Sequence, residues 1–240
     1  MNIKNWIKVK ILGYKATSDS YNNHLKKIGV SVGNGVKIYR PYNTTIDIQA
    51  PHLLSIGDYV QITGPATILN HDYSWSVIKR KYGYIYGSQR KTVIGNNVFI
   101  GWGATILGGS TIGDNVIIGA NSVISGRIES NSVYAGNPAK KIMTLDEYCE
   151  KRRSKQLKEA VIFVKEYKKK FGKIPPESEL DEYFFLFKPT NLNKKFRGQM
   201  KLMGNYELSK KKLYENYKFK SYKEFIKYCN DKNWVIGVYY

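Results

Sequence analysis

Six isoleucines fall in strict register every six residues: Ile94, Ile100, Ile106, Ile112, Ile118 and Ile124. Four positions after each stand Val98, Ala104, Ser110, Val116, Ser122 and Ile128, all small or β-branched, and glycine follows the isoleucine at Gly95, Gly101, Gly113 and Gly119. Such a period is neither that of an amphipathic helix nor the alternation of an ordinary strand. It fits a solenoid of short strands, in which one isoleucine per hexad points inward and stacks on its equivalent in the next coil. The small residues let the chain bend, and glycine or asparagine supplies the unusual backbone angles of the corners.

A weaker tract lies upstream: Val32, Ile38, Thr44, Ala50, Ile56, Ile62 and Ile68, with Thr44 and Ala50 as its soft positions. The two tracts are out of phase, because stepping from Ile68 by sixes reaches Tyr86 and Thr92, not Ile94. A segment of irregular length, residues 70–91, therefore interrupts the repeat. It carries Tyr73, Trp75, Lys79, Arg80, Lys81, Tyr82, Tyr84, Tyr86 and Arg90, and reads as a loop thrown out of the solenoid. Long loops in compact domains are usually functional or disordered.

After Ile142 the pattern changes. Thr144-Leu145-Asp146-Glu147 is a capping box and predicts a helix to about Phe171, with Leu157, Val161, Val164 and Tyr167 near helical spacing, stopped by Gly172 and Pro175-Pro176. Further helices are expected near 179–187, 194–203 and 221–229, the last opened by a second capping box, Ser221 to Glu224. A short helix over 21–28 would cap the near end of the solenoid. The expected fold class is mainly β: a parallel β-helix with a protruding loop and a C-terminal α-helical extension. Its parts are an N-terminal capping segment (1–30), the solenoid with its insert (31–143) and the extension (144–240).

Composition narrows the function. With 240 residues, 42% hydrophobic and 24% charged, the chain is globular and long enough to bury a core. No apolar run approaches the length needed to cross a bilayer. Lys4, Lys8 and Lys10 break up any signal-peptide core, so a cytoplasmic protein is expected. Cys149 and Cys229 form a lone distant pair without metal-ligand spacing, expected as two reduced thiols. The net charge of +20 attracts polyanions, whether nucleic acid, an anionic membrane face or phosphorylated ligands, and reads equally well as a lysine-rich solvated surface.

The hexads end in Tyr134-Ala135-Gly136-Asn137-Pro138-Ala139-Lys140-Lys141-Ile142. That ending resembles the hexapeptide-repeat acyltransferases, which include serine, maltose and galactoside O-acetyltransferases. The phrase Leu69-Asn70-His71-Asp72-Tyr73-Ser74-Trp75 and the continuation Leu145-Asp146-Glu147-Tyr148-Cys149-Glu150-Lys151-Arg152 look most like the capsule and O-antigen sugar O-acetyltransferases. The resemblance covers roughly residues 21–187. It implies a triangular, left-handed coil of about three hexads per turn, a hand opposite to the usual crossover rule. It also implies a homotrimer with active sites between subunits, acetyl-CoA as co-substrate, no metal, and a carbohydrate acceptor, including lipid-linked forms.

His71 stands where the first tract ends and the insert leaves, the place of the family's catalytic histidine. The implied role is general base: neutral imidazole takes the proton of an acceptor hydroxyl as that oxygen attacks the thioester. Asp72 is a candidate to orient His71 or to contact the acceptor, and equally reads as a turn aspartate. Asn43, in Asn43-Thr44-Thr45-Ile46, resembles an acceptor-contacting segment of galactoside-type enzymes, and also reads as a plain turn asparagine. Tyr73 and Trp75, with Tyr82 and Tyr84, could form a sugar platform or pack the loop onto a neighbouring subunit. Trp102, Ala120 and Ser125 match positions that contact the thioester or pantetheine, and Trp102 reads alternatively as a subunit contact. Many relatives carry Thr-Lys-Asp where this chain has Ser125-Gly126-Arg127, so the phosphate contact passes to Arg127, Lys140 and Lys141 as candidates, each otherwise a solvated surface charge.

Three rival readings stand beside this one. The same fold could serve an amino-sugar or antibiotic acetyltransferase, or a serine acetyltransferase, whose usual large N-terminal helical domain is not evident. A γ-type carbonic anhydrase needs three zinc histidines, two of them close in sequence, whereas His24, His52 and His71 are dispersed. A non-enzymatic basic solenoid would bind nucleic acid or membrane, yet no nucleic-acid module is present and none is expected as partner. The basic C-terminal helices are expected to offer peripheral contact to an inner membrane face or to hold lipid-linked acceptors.

Overall fold

A computed structural model describes residues 10–215 and 217–231. Residues 1–9 of the capping segment and residues 232–240 of the extension lie outside the described residues. The chain divides into two compact units, residues 1–148 and 149–240.

In the first unit the hexads build a parallel β-helix with three faces. One face stacks Ser31–Val32, Leu54–Ile56, Thr92–Ile94, Thr111–Ile112 and Arg127–Ile128. A second stacks Lys37–Ile38, Gln61–Ile62, Val98–Ile100, Val116–Ile118 and Ser132–Gly136, and is extended antiparallel by Ala139–Thr144. The third stacks Thr45–Ile46, Thr67–Ile68, Thr105–Ile106 and Val123–Ile124. The inward isoleucines meet in register, Ile62 on Ile100 on Ile118 and Ile68 on Ile106 on Ile124. All of them are buried in one continuous core. Each contributes on the order of 1.5–3 kcal/mol by leaving water.

The corners carry the expected asparagines. Asn97, Asn115 and Asn131 sit at φ of 52°, 57° and 55°, left-handed angles that asparagine tolerates better than other non-glycine residues. Their amides form a ladder, Asn97 Nδ2 donating to Asn115 Oδ1 and Asn115 Nδ2 to Asn131 Oδ1, each at 2.9 Å. Gly101 meets a steric demand: a Cβ there would lie 2.6 Å from the Ala120 backbone nitrogen.

The structure corrects the early register. Thr44 and Ala50 are buried but are not the stacking positions of their coil; Ile46 is, paired with Ile68. The turns Pro41–Asn43 and Pro51–Leu53 lengthen two corners, Ile38 to Ile46 and Ile46 to Ile56, and the additions sum to one whole hexad, so that counting by six is back in register at Ile56. The insert, expected as a loop, is an arm: His71–Asp72 pairs antiparallel with Ser88–Gln89, and between them runs a helix, Trp75–Tyr82. Gly83 ends that helix at φ 83°. The near end of the solenoid is closed by the helix Ser18–Lys27, opened by a Thr17–Ser20 capping box, which inserts Tyr21 and Leu25 into the core.

The helix Leu145–Phe171 begins as predicted, Thr144 and Glu147 capping each other's backbone N–H. In residues 149–240 its Ala160, Val161 and Val164 join an aromatic core with Phe184, Phe196 and Phe225. The expected helix over 179–187 is instead two single turns, Glu177–Glu179 and Phe184–Leu186, the second with Phe184 and Leu186 buried in the aromatic core. Lys194–Lys201 and Tyr222–Asp231 match expectation, and Tyr206–Glu215 is a helix that the pattern did not announce. Cys149 is exposed and Cys229 buried, both free. No described helix is long and apolar enough to cross a membrane.

Candidate active site

The arm leaves the coil at the corner after Thr67–Ile68, and His71 is the first residue of its paired base. Directly beneath, the previous coil ends in Thr45–Ile46 and presents Asp47, whose backbone N–H donates to the Ile68 carbonyl at 2.8 Å. The Asp47 carboxylate accepts from His71 Nδ1 at close range. It also accepts from the backbone N–H of His71 at 3.1 Å, of Asn70 at 3.0 Å and of Gln49 at 3.0 Å. Asp47 is almost fully buried, its side chain 5% exposed against 19% for His71. A carboxylate at Nδ1 selects the tautomer protonated there and leaves the Nε2 lone pair for chemistry.

Burial pushes the Asp47 carboxyl upward, but the bonds from Gln49, Asn70 and His71 outweigh it and hold the group below its ordinary value of 3.8. A depressed folded pKa contributes stability that is present above the unfolded carboxylate value and is lost as pH falls through the folded one. Asp47→Asn is therefore expected to be less stable than the wild type at pH 7, with a shallower loss of stability below about pH 4. Thermal unfolding at pH 7 and pH 3 measures this, and an unchanged acid slope would remove Asp47 from the account.

Asp72 does not orient His71, contrary to one of its expected roles. Its carboxylate accepts from the Ser74 backbone N–H at 3.1 Å, from the Ser74 hydroxyl, from the Ser88 hydroxyl at 2.6 Å and from Arg90 at 3.0 Å. Those hydroxyls, with the Ser74 amide and Arg90, hold its carboxyl well below the usual range. The effect is to tie both ends of the arm together beside His71.

His71, Asp72, Tyr73 and Trp75 line one cavity of about 400 Å³, with Gln49 and Gln89 on its walls. The Tyr73 ring stands edge-on to His71, centroids 5.2 Å apart, and Trp75 lies 5.7 Å further on. Gly108 lets the next coil close on this corner: a Cβ there would sit 3.1 Å from the Asn70 carbonyl carbon.

The other candidates are not gathered into this cavity. Asn43 is exposed in the turn Pro41–Asn43, outside the lining. Ser125 stands exposed in the same corner column as His71, above Leu107, whose N–H donates to the Ile124 carbonyl. Trp102 and Ala120 share a different column, and Trp102, 45% exposed, is stacked by the Arg40 guanidinium at 4.5 Å. Arg127 and Lys140 are exposed strand residues. Lys141 is paired with Glu129 at 2.6 Å, which engages the charge offered to a phosphate. Among the described residues no three His, Cys, Asp or Glu side chains gather as a metal site; His24 stacks on Tyr14 and His52 lies in the turn Pro51–Leu53.

Sequence reasoning missed Asp47, Gln49 and Gln89. A signal for the first two was present: aligning Ile46 with Ile68 places Asp47-Ile48-Gln49 against Leu69-Asn70-His71. Stepping by six through Thr44 hid it.

The profile described as bacterial transferase hexapeptide (six repeats) matches residues 91–126. Protein CapG of Staphylococcus aureus is 40% identical over 124 residues, 52% of this chain and 71% of that protein. The galactoside O-acetyltransferase of Escherichia coli (strain K12) is 34% identical over 119 residues, 49% of this chain and 58% of that enzyme. A solved hexapeptide-repeat containing acetyltransferase from Vibrio cholerae aligns over 57% of this chain and 86% of its own, at 19% identity and a TM-score of 0.45.

Proposed function

This chain belongs to the bacterial hexapeptide-repeat transferases and is an acyltransferase, and from that premise we propose that it moves an acetyl group from acetyl-CoA to a hydroxyl of a sugar, in a capsule, O-antigen or other surface polysaccharide or its precursor. The observation that carries the reading is the Asp47–His71 pair opening into a cavity with aromatic walls. His71 Nε2 takes the proton of the acceptor hydroxyl as its oxygen bonds to the thioester carbonyl carbon. The carbon–sulfur bond then breaks, and the proton passes from the imidazolium to the departing thiolate. The products are a sugar ester and free CoA. Asp47, as a positioning residue, holds the ring and stabilises the imidazolium.

The coil above His71 turns through Gly108-Gly109, with the Arg90 side chain against Gly109, and the next through Ser125-Gly126, and an extended pantetheine chain would run along this corner. Trp102 and Ala120 stand in another column. A homotrimer, whose neighbouring coils face one another, is the arrangement that would bring them to a neighbour's histidine. A cytoplasmic place with peripheral contact to the inner membrane face belongs to the same reading, and the membrane contact rests on the lysine excess. Light scattering and sedimentation with anionic vesicles read these two directly.

Purified protein given acetyl-CoA and a sugar panel is expected to release CoA and to yield a product heavier by one acetyl group, cleaved by mild base as an ester is. A base-stable amide would transfer the assignment to N-acetylation, and zinc-dependent or acetyl-CoA-independent behaviour would end it.

A further inference from the structure

We propose that the acceptor taken by the His71 cavity is an uncharged pyranoside and not a uronic acid or another charged sugar. The inference rests on the sugar-acetyltransferase reading above and narrows it.

The chain carries a net charge of +20, yet among the described residues no lysine or arginine lines the cavity. The two carboxylates beside His71 are both engaged, Asp72 on the wall by Arg90, which stands outside the lining, and Asp47 behind the ring by His71 and backbone N–H groups. An acceptor carboxylate entering here would shed its water and find in the lining no cation to replace it, Arg90 being already engaged by Asp72, which costs free energy in a partly enclosed site. A protonated amine fares little better. The Asp72 oxygens already accept from Ser74, Ser88 and Arg90, and Asp47 is shielded by His71 and three backbone N–H groups.

Apart from the engaged Asp72, what the walls offer is neutral. The Tyr73 and Trp75 rings, tilted at 56° to one another, present two apolar faces of the kind that pack against the C–H face of a pyranose. Gln49 and Gln89 supply amides that both donate and accept, matching sugar hydroxyls, which do the same. Gln49 Nε2 donates to the Tyr73 hydroxyl oxygen at 2.8 Å, so the phenol's own proton is left to donate to an acceptor oxygen. A cavity of about 400 Å³ is within the range of small-molecule sites and suits one ring with part of a second.

The test uses the full chain with acetyl-CoA and methyl hexopyranosides of gluco, galacto and manno configuration, each beside its matching hexuronide and 2-amino sugar. The best neutral glycoside is expected to exceed its matching uronide in kcat/KM by at least about tenfold, the scale of one unmet charge-assisted hydrogen bond. Parity, or a preference for the uronide or the amine, would overturn this inference while leaving the acetyltransferase reading intact. Acetylation of nothing in any series would overturn the sugar reading and this inference with it. Gln89→Arg adds a cation to the wall and is expected to move the uronide-to-neutral ratio upward by about tenfold; an unmoved ratio would overturn the assignment of this cavity to the acceptor.

Discussion

His71→Ala is expected to lower kcat for acetyl transfer by about 10²- to 10⁴-fold, the range for losing a positioned general base. The expectation follows from the roles of the two ring nitrogens. Nδ1 is committed to Asp47, so Nε2 is the nitrogen offered to the acceptor, and alanine removes both. KM for acetyl-CoA should change little, because the ring is not part of the proposed donor path. Near-normal kcat in a folded His71→Ala protein would sink the assignment. Asp47→Asn serves as the companion variant. An asparagine keeps the size of the side chain but can offer its NH₂ to Nδ1, which favours the wrong tautomer. It should lower kcat at neutral pH by less than His71→Ala does and leave KM for the sugar nearly unchanged. A purely structural role for Asp47 would instead lower the amount of folded protein at constant kcat per folded molecule.

The second large effect concerns the solenoid. Ile100 lies fully buried between Ile62 and Ile118, so Ile100→Ala leaves a void that both neighbours border. Removal of buried aliphatic carbons at such a site costs about 2–5 kcal/mol. Coils are stabilised mainly by their neighbours, so the loss should spread to the adjacent coils and not stay local. Urea unfolding of the full chain measures it, with the exposed Thr111→Ala as control, expected within about 0.5 kcal/mol of the wild type. A loss below about 1 kcal/mol for Ile100→Ala would mean that the coil collapses around the void, and that the stacked isoleucines are less tightly interlocked than their register implies.

The two variants test different scales of the same design. The isoleucine column is uniform and would be served by any large aliphatic residue, whereas the histidine corner depends on one break in that uniformity. The interruption brings two strand ends, 45–49 and 69–72, into contact outside the apolar core, where a carboxylate and an imidazole can be desolvated together without disturbing it.

The regular part of this protein was legible because a strict period admits few structures. Ile94 to Ile124 in steps of six predicted the inward column, and Thr144–Glu147 predicted the start of a helix to within a residue. The irregular parts were less so, each for a physical reason. Between Ile38 and Ile56 two proline-led turns add one hexad's worth of residues to a coil, so that counting by six selects buried residues that are not the stacking ones. Over 179–187 apolar spacing resembled a helix, but Phe184, Leu186 and Phe187 are held by aromatic packing that no local pattern records. In the arm, Gly83 and the paired ends at His71 and Ser88 stabilise a short helix that propensity alone leaves marginal.

The sequence by itself determined the solenoid and the place of His71, because a hexad repeat and its break are properties of order along the chain. Only the tertiary structure decided which carboxylate serves that histidine. Asp72 is its neighbour in sequence and turns away to tie the arm, while Asp47, a whole coil earlier, meets it through strand register. A partner across coils is set by stacking, and stacking depends on the length of every corner between the two residues, which no local reading of either one contains.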